Sequence, residues 1–97
     1  MRVIIDGRFV IDEADLHRRL AGALGYGPLY EPGLDALGER LSAGDPRPLL
    51  LTWIHASAIR MALGTRAYSR LVGMLEAVEA ADVDKCWAER FVFRLFD

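Results

Sequence analysis

Pro48-Leu49-Leu50-Leu51-Thr52-Trp53-Ile54 is the stretch that decides the fold. A continuous apolar run of this kind suits a strand buried on both faces, as in parallel sheets. Pro48 cannot donate to a sheet and marks where the strand begins. The turn before it is Gly44-Asp45-Pro46-Arg47-Pro48.

Upstream, Gly33 to Ala43 reads as a short helix, with Leu34, Leu37 and Leu41 on one face. Tyr26 to Pro32 is an irregular link with two prolines and the aromatic Tyr30. Before it lies a well-marked helix. Asp12 can cap its free N–H groups, Asp15 can reach back as in a capping box, and Ile11 and Leu16 hold the positions of a hydrophobic staple. Leu16, Leu20, Ala23 and Leu24 form its apolar stripe, and Gly25 and Gly27-Pro28 end it. The chain opens with Val3-Ile4-Ile5, a buried strand closed by Asp6-Gly7, and a second extended piece is expected at Phe9-Val10-Ile11.

Downstream, His55 to Leu63 reads as a short helix ended by Gly64. Thr65 caps a longer one running to about Ala81, with Tyr68, Leu71, Val72, Leu75 and Val78 as its core stripe. The acids Glu79, Asp82 and Asp84 crowd its end, which the helix dipole does not favour. Phe91-Val92-Phe93-Arg94-Leu95-Phe96 is the last strand. The order is strand, helix, helix, strand, helix, helix, strand. It predicts an α/β fold: a small three-stranded parallel sheet with right-handed crossovers, packed with about four helices on its faces.

Composition bounds what such a fold can do. The 97 residues are one domain, 1–97. Hydrophobic residues make up 53%, enough to bury a core. The net charge of −2 argues against binding nucleic acid directly or an anionic membrane surface. Cys86 is the single cysteine, so no internal disulfide is available, and a buried or half-buried thiol in a reducing cytoplasm is expected. The apolar run at the N-terminus breaks after three residues, too short for a secretory signal.

Enzyme chemistry finds little support. His17 and His55 are 38 positions apart, and each reads as an ordinary surface or hydrogen-bonded histidine. No spaced cluster of ligands calls for a metal, and no glycine-rich phosphate loop follows a strand, so no cofactor is expected. Asp35 and Glu39 are a carboxylate pair, but on the outside of a short helix water keeps both ionised, whereas a general acid needs a raised pKa. The chain is expected not to be an enzyme.

Charge is locally polarised. From Tyr26 to Pro46 four acids face one base, a net of −3, while Arg60 to Leu75 carries three arginines and no acid. Asp35 and Glu39 stack about 40° apart on one helix face, opposite the leucines. Like charges at that spacing weaken an isolated helix. Gly38 between them costs about 1 kcal/mol more than alanine and leaves the surface flat for close approach. Two readings stand: a solvated helix face, or a flat acidic surface for a cationic partner.

Tyr30, Leu34-Asp35-Ala36-Leu37, Glu39 and Leu41, then Pro48-Leu49-Leu50-Leu51 and Trp53, resemble the barstar family of intracellular ribonuclease inhibitors. Ile4-Ile5-Asp6-Gly7 and Asp15-Leu16-His17 agree in order and spacing. The resemblance implies a cytoplasmic inhibitor that binds a microbial, extracellular-type ribonuclease. It implies that the second helix and the loop before it plug the nuclease active site, with an acid in place of RNA phosphate. Asp35 matches an interface aspartate, and Glu39 stands where the phosphate-mimicking aspartate is usual. Tyr30, Leu34, Ser42 and Glu76 match further contacts, and Gly33 and Gly38 lie within the same surface.

Departures are visible. Leu29 replaces a tyrosine, Pro32-Gly33 replaces a polar pair, and Gly38 and Gly44 stand where the best-known member carries tryptophans. These imply a target other than barnase, or a barstar-like module redirected to a different toxin or regulatory partner. Nothing fixes an oligomeric state, and a free monomer is the expectation.

Overall fold

A computed structural model describes residues 1–27, 30–31, 33–85 and 89–97. Three strands form one parallel sheet in the order β1-β2-β3: β1 is Arg2–Asp6, β2 Leu49–Ile54 and β3 Phe91–Leu95. Arg2 pairs with Leu50 and Leu50 with Val92, which sets the register across all three. Four helices connect them: α1, Glu13–Leu24; α2, Leu34–Glu39; α3, Ala56–Leu63; and α4, Thr65–Asp84. The expected α/β architecture is met.

One expectation about the sheet is corrected. β2 is not buried on both faces. Leu49, Leu51 and Trp53 are buried, while Leu50, Thr52 and Ile54 are only half-buried. The strand order explains why. Two right-handed crossovers that step the same way, β1 to β2 and then β2 to β3, put all their helices on one side. Val3, Ile5, Phe91 and Phe93 join the covered face, and the other face stays open. In the core, Phe93 meets Trp53 edge-on at 5.1 Å, and Leu16, Leu20, Leu37, Leu41, Leu71 and Leu75 fill the space beneath the sheet.

Local details differ in instructive ways. The chain after β1 forms a single 3₁₀ turn, Gly7–Phe9, instead of a second extended piece, because the Asp6 carboxylate caps the Arg8 N–H at 3.0 Å. Gly7 is required there: a Cβ would collide with the His55 carbonyl. Asp12 caps α1 as expected, accepting from the Asp15 N–H at 2.8 Å. Asp15 instead accepts from Ile11 N–H and from Arg19, so the reciprocal bond skips Asp12. Ile11 is largely exposed and Ala23 lies outside the stripe. Gly25 closes α1 with φ 77°, a left-handed cap.

Gly33 precedes α2 and is not part of it. α2 ends at Glu39, and the chain continues as a π-helical turn, Arg40–Gly44. There the Asp45 N–H reaches back five residues to the Arg40 carbonyl at 2.9 Å. The extra residue in that turn accompanies a fully buried Leu41. α4 starts after Gly64, not under a Thr65 cap, and extends to Asp84. In its stripe Leu71, Leu75 and Val78 are buried, and Tyr68 and Val72 half-buried. His17 is buried, not a surface residue, and among the described residues its Nδ1 has no hydrogen-bond partner. The expectations for Cys86, Leu29 and Pro32 lie outside the described residues.

Candidate acidic interface on the second helix

Two clusters hold α2 in place. The first is aromatic. Tyr26 and Tyr30 flank the loop with ring centroids 4.7 Å apart, and the Tyr30 N–H bonds to the Gly27 carbonyl at 3.1 Å. The Arg40 guanidinium lies 4.3 Å from the Tyr26 ring centroid and 6.0 Å from that of Tyr30. A cation over an aromatic face is attracted by the ring quadrupole. The Tyr26 hydroxyl donates to Asp45, just beyond the π-helical turn. Burial, followed by that carboxylate, pushes the Tyr26 phenol far above its ordinary pKa, so it stays a donor. Both ends of the loop–α2 unit are thereby tied together.

The second is ionic. Arg47, in the turn before β2, grips Asp82 on α4 through Nε at 2.9 Å and Nη2 at 3.1 Å. Asp82 is 1% exposed and also accepts the Phe91 N–H at 2.7 Å. Burial opposes its charge, but Arg47 and the Phe91 N–H outweigh burial and hold its pKa below the usual carboxylate value. Glu79 accepts the Phe93 N–H at 3.0 Å and stands 3.6 Å from Arg94. Glu79 and Asp82 at the end of α4, awkward in isolation, are therefore matched by tertiary partners.

Between these anchors, α2 presents Asp35 and Glu39 to solvent and the π-helical turn after it presents Ser42, with Leu34 and Gly38 half-buried beside them. Asp35 and Glu39 make no hydrogen bond or ion pair among the described residues. The cation next in sequence, Arg40, is engaged with Tyr26. Gly38 is not simply a bare patch. A Cβ there would touch Met74 of α4 at 3.5 Å, so the glycine lies along the α2–α4 contact.

The structure brings Tyr30, Gly33, Leu34, Asp35, Gly38, Glu39 and Ser42 into one loop–helix unit. Glu76 stands apart. It lies about 160° around the α4 axis from Met74, in the groove between α4 and β3 with Glu79. Sequence reasoning missed Tyr26, Arg40 and Asp45 as supports. The signal available was an aromatic pair four positions apart around a glycine-proline turn.

A model of the family described as barstar (barnase inhibitor) matches residues 1–97, the whole chain. The chain belongs to the barstar family. A comparison with curated proteins returned no match. Barstar-family proteins are inhibitors and not enzymes, and their partners are ribonucleases. Among the described residues no group of three His, Cys, Asp or Glu side chains converges as a metal site. Among them, too, no helix is long and apolar enough to cross a membrane.

Proposed function

We propose that this barstar-family chain acts inside the producing cell, where it occludes the active site of a microbial, extracellular-type ribonuclease. Asp35 and Glu39 take the place of RNA phosphates. A nuclease holds its substrate with cationic side chains, so an inhibitor that fills the same cleft must present anions. The observation that carries this reading is the free state of those two carboxylates. They are exposed and, among the described residues, unpaired, on a helix braced at both ends, while the neighbouring arginine is stacked away on Tyr26. A face already ordered before binding loses little entropy when it docks. Tyr30 and Leu34 supply the apolar contact beside the acids, and Ser42 a hydroxyl at the rim. Glu76 is a separate, outlying acid that a large partner would reach only by extending across α4.

The half-buried Gly38 and the proline-glycine sequence before α2 make this surface flatter than one built with tryptophans. That favours a target other than barnase. The test is a binding panel of microbial ribonucleases against wild type, Asp35→Ala and Glu39→Ala. For the nuclease that wild type inhibits, Glu39→Ala is expected to weaken binding by at least about 30-fold, from about 2 kcal/mol for truncating one member of a buried charge pair. That scale comes in part from the barnase–barstar complex itself. Association should also slow as salt rises, since screening shortens electrostatic steering to about 8 Å at physiological ionic strength. Undiminished inhibition by both variants would place the binding surface elsewhere. Failure of every nuclease to bind would favour redirection to another toxin or a regulatory protein.

A further inference from the structure

The two edges of the sheet are finished differently. In a parallel ladder the N–H and C=O of one residue face the same neighbouring strand, and those of the next residue face away. Phe96 N–H donates to Trp53 on β2, so the N–H groups of Phe91 and Phe93 point outward. Both are capped by α4 carboxylates, Phe91 by Asp82 and Phe93 by Glu79. The β3 edge is therefore closed to another strand.

The β1 edge is not. The Met1 carbonyl accepts from Leu50 N–H at 2.9 Å, so Met1, Val3 and Ile5 face β2 and the main chain of Arg2, Ile4 and Asp6 faces outward. Among the described residues no side chain bonds to the main chain of those three. Ile4 is 65% exposed and Phe9 61%, and the two line one shallow hollow with Arg19 and Ala23.

We propose that β1 is a self-association edge whose occupant is the β1 strand of a second copy, paired antiparallel about a two-fold axis at Ile4. The charges and the register single out this occupant. Centred on Ile4, the pairing sets Ile4 against Ile4, Arg2 against Asp6 of the second copy, and Asp6 against its Arg2. These residues carry the outward main-chain groups, except that the Asp6 carbonyl is already the first acceptor of the 3₁₀ turn Gly7–Phe9, so the three facing pairs exchange about four hydrogen bonds. Arg2, Ile4 and Asp6 also share the open face of the sheet, which brings opposite charges side by side at both ends of an apolar centre. Asp6 already accepts from Arg8 at 2.7 Å, and a carboxylate has room for a second cation. The outcome is a continuous six-stranded sheet with both outer β3 edges capped. The contact is small, so the association is weak and leaves a monomer in dilute solution. Nothing in it depends on the inhibitory role of α2.

Sedimentation equilibrium of the full chain tests this. The weight-average mass should rise from the 10.8 kDa monomer toward twice that value as concentration increases from about 5 µM to about 500 µM. Ile4→Lys, which sets two ammonium groups face to face at an already exposed position, should stay monomeric throughout. Arg2→Glu, which opposes Asp6, should weaken association by about tenfold. In the concentrated wild type, exchange of the Ile4 amide should slow while the Phe91 and Phe93 amides stay unchanged. A wild type that remains monomeric across the range overturns the proposal. So does a dimer that survives Ile4→Lys with Ile4 exchange unaltered.

Discussion

Asp35 and Glu39 on α2 are exposed and pair with no cation among the described residues, whereas Glu79 and Asp82 on α4 are held by two arginines and two main-chain N–H groups. Each pair puts two carboxylates on a helix, three or four residues apart. The α4 pair organises the fold: it pins the turn before β2 and closes the β3 edge. The α2 pair stabilises nothing that the structure shows. Carboxylates kept four apart on a short helix, at some cost to that helix, are on the proposed function the ones available to a partner.

The largest effect should come from breaking the paired side. Arg47→Met removes the guanidinium and strands a buried carboxylate, and it is expected to cost about 3–5 kcal/mol of stability by urea denaturation. If Arg47→Met unfolded with the wild-type midpoint, Asp82 would not depend on that contact.

Acid offers a gentler probe of the same group. The folded-state pKa of Asp82 lies below its unfolded value of about 3.9, so its stabilisation is present above about pH 4 and disappears as pH falls through the folded value. Asp6, which its bond to Arg8 holds down at about 2, and Asp15, lowered chiefly by Arg19, titrate in the same direction. Asp82→Asn removes one of these titrations. Below pH 4 the slope of stability against pH should therefore be shallower by up to about 1.4 kcal/mol per pH unit. An unchanged slope would mean that Asp82 binds no extra proton on unfolding.

The smallest effect should come from the free side, with the opposite sign. Glu39→Gln relieves repulsion from Asp35 and an unfavourable charge at the end of α2, so stability should rise by about 0.2–0.5 kcal/mol while nuclease binding falls. A clear loss of stability instead would reveal a hidden intramolecular role for Glu39 and undercut its availability to a partner.

Much of the fold was legible because its signals are local. Pro48 and the run to Ile54 marked β2, Asp12 and Gly25 bracketed α1, and Gly64 separated α3 from α4. The acidic face of α2 was legible as well, since Leu34, Leu37 and Leu41 fix which side of the helix turns inward. The errors fell where neighbours in space outvote neighbours in sequence. β2 read as buried on both faces because its composition is uniformly apolar, and only the strand order left one side open. α2 read as one helix to Ala43, but its last turn opens into a π-helical one whose bond runs from Asp45 to Arg40. His17 read as an ordinary surface or hydrogen-bonded histidine and is buried, and burial lowers its pKa.

By itself, then, the order of residues determined which strands and helices exist and in what order, that the sheet is parallel, and which carboxylates α2 displays. These depend on periodicity, caps and turns, which act over a few residues. Only the tertiary structure decided which acids are neutralised and which sheet edge is closed. Arg47 and Asp82 are 35 positions apart, and Phe93 lies 14 positions from Glu79. Coulombic and hydrogen-bonding partners are chosen by distance in space, and that distance exists only once the chain has packed.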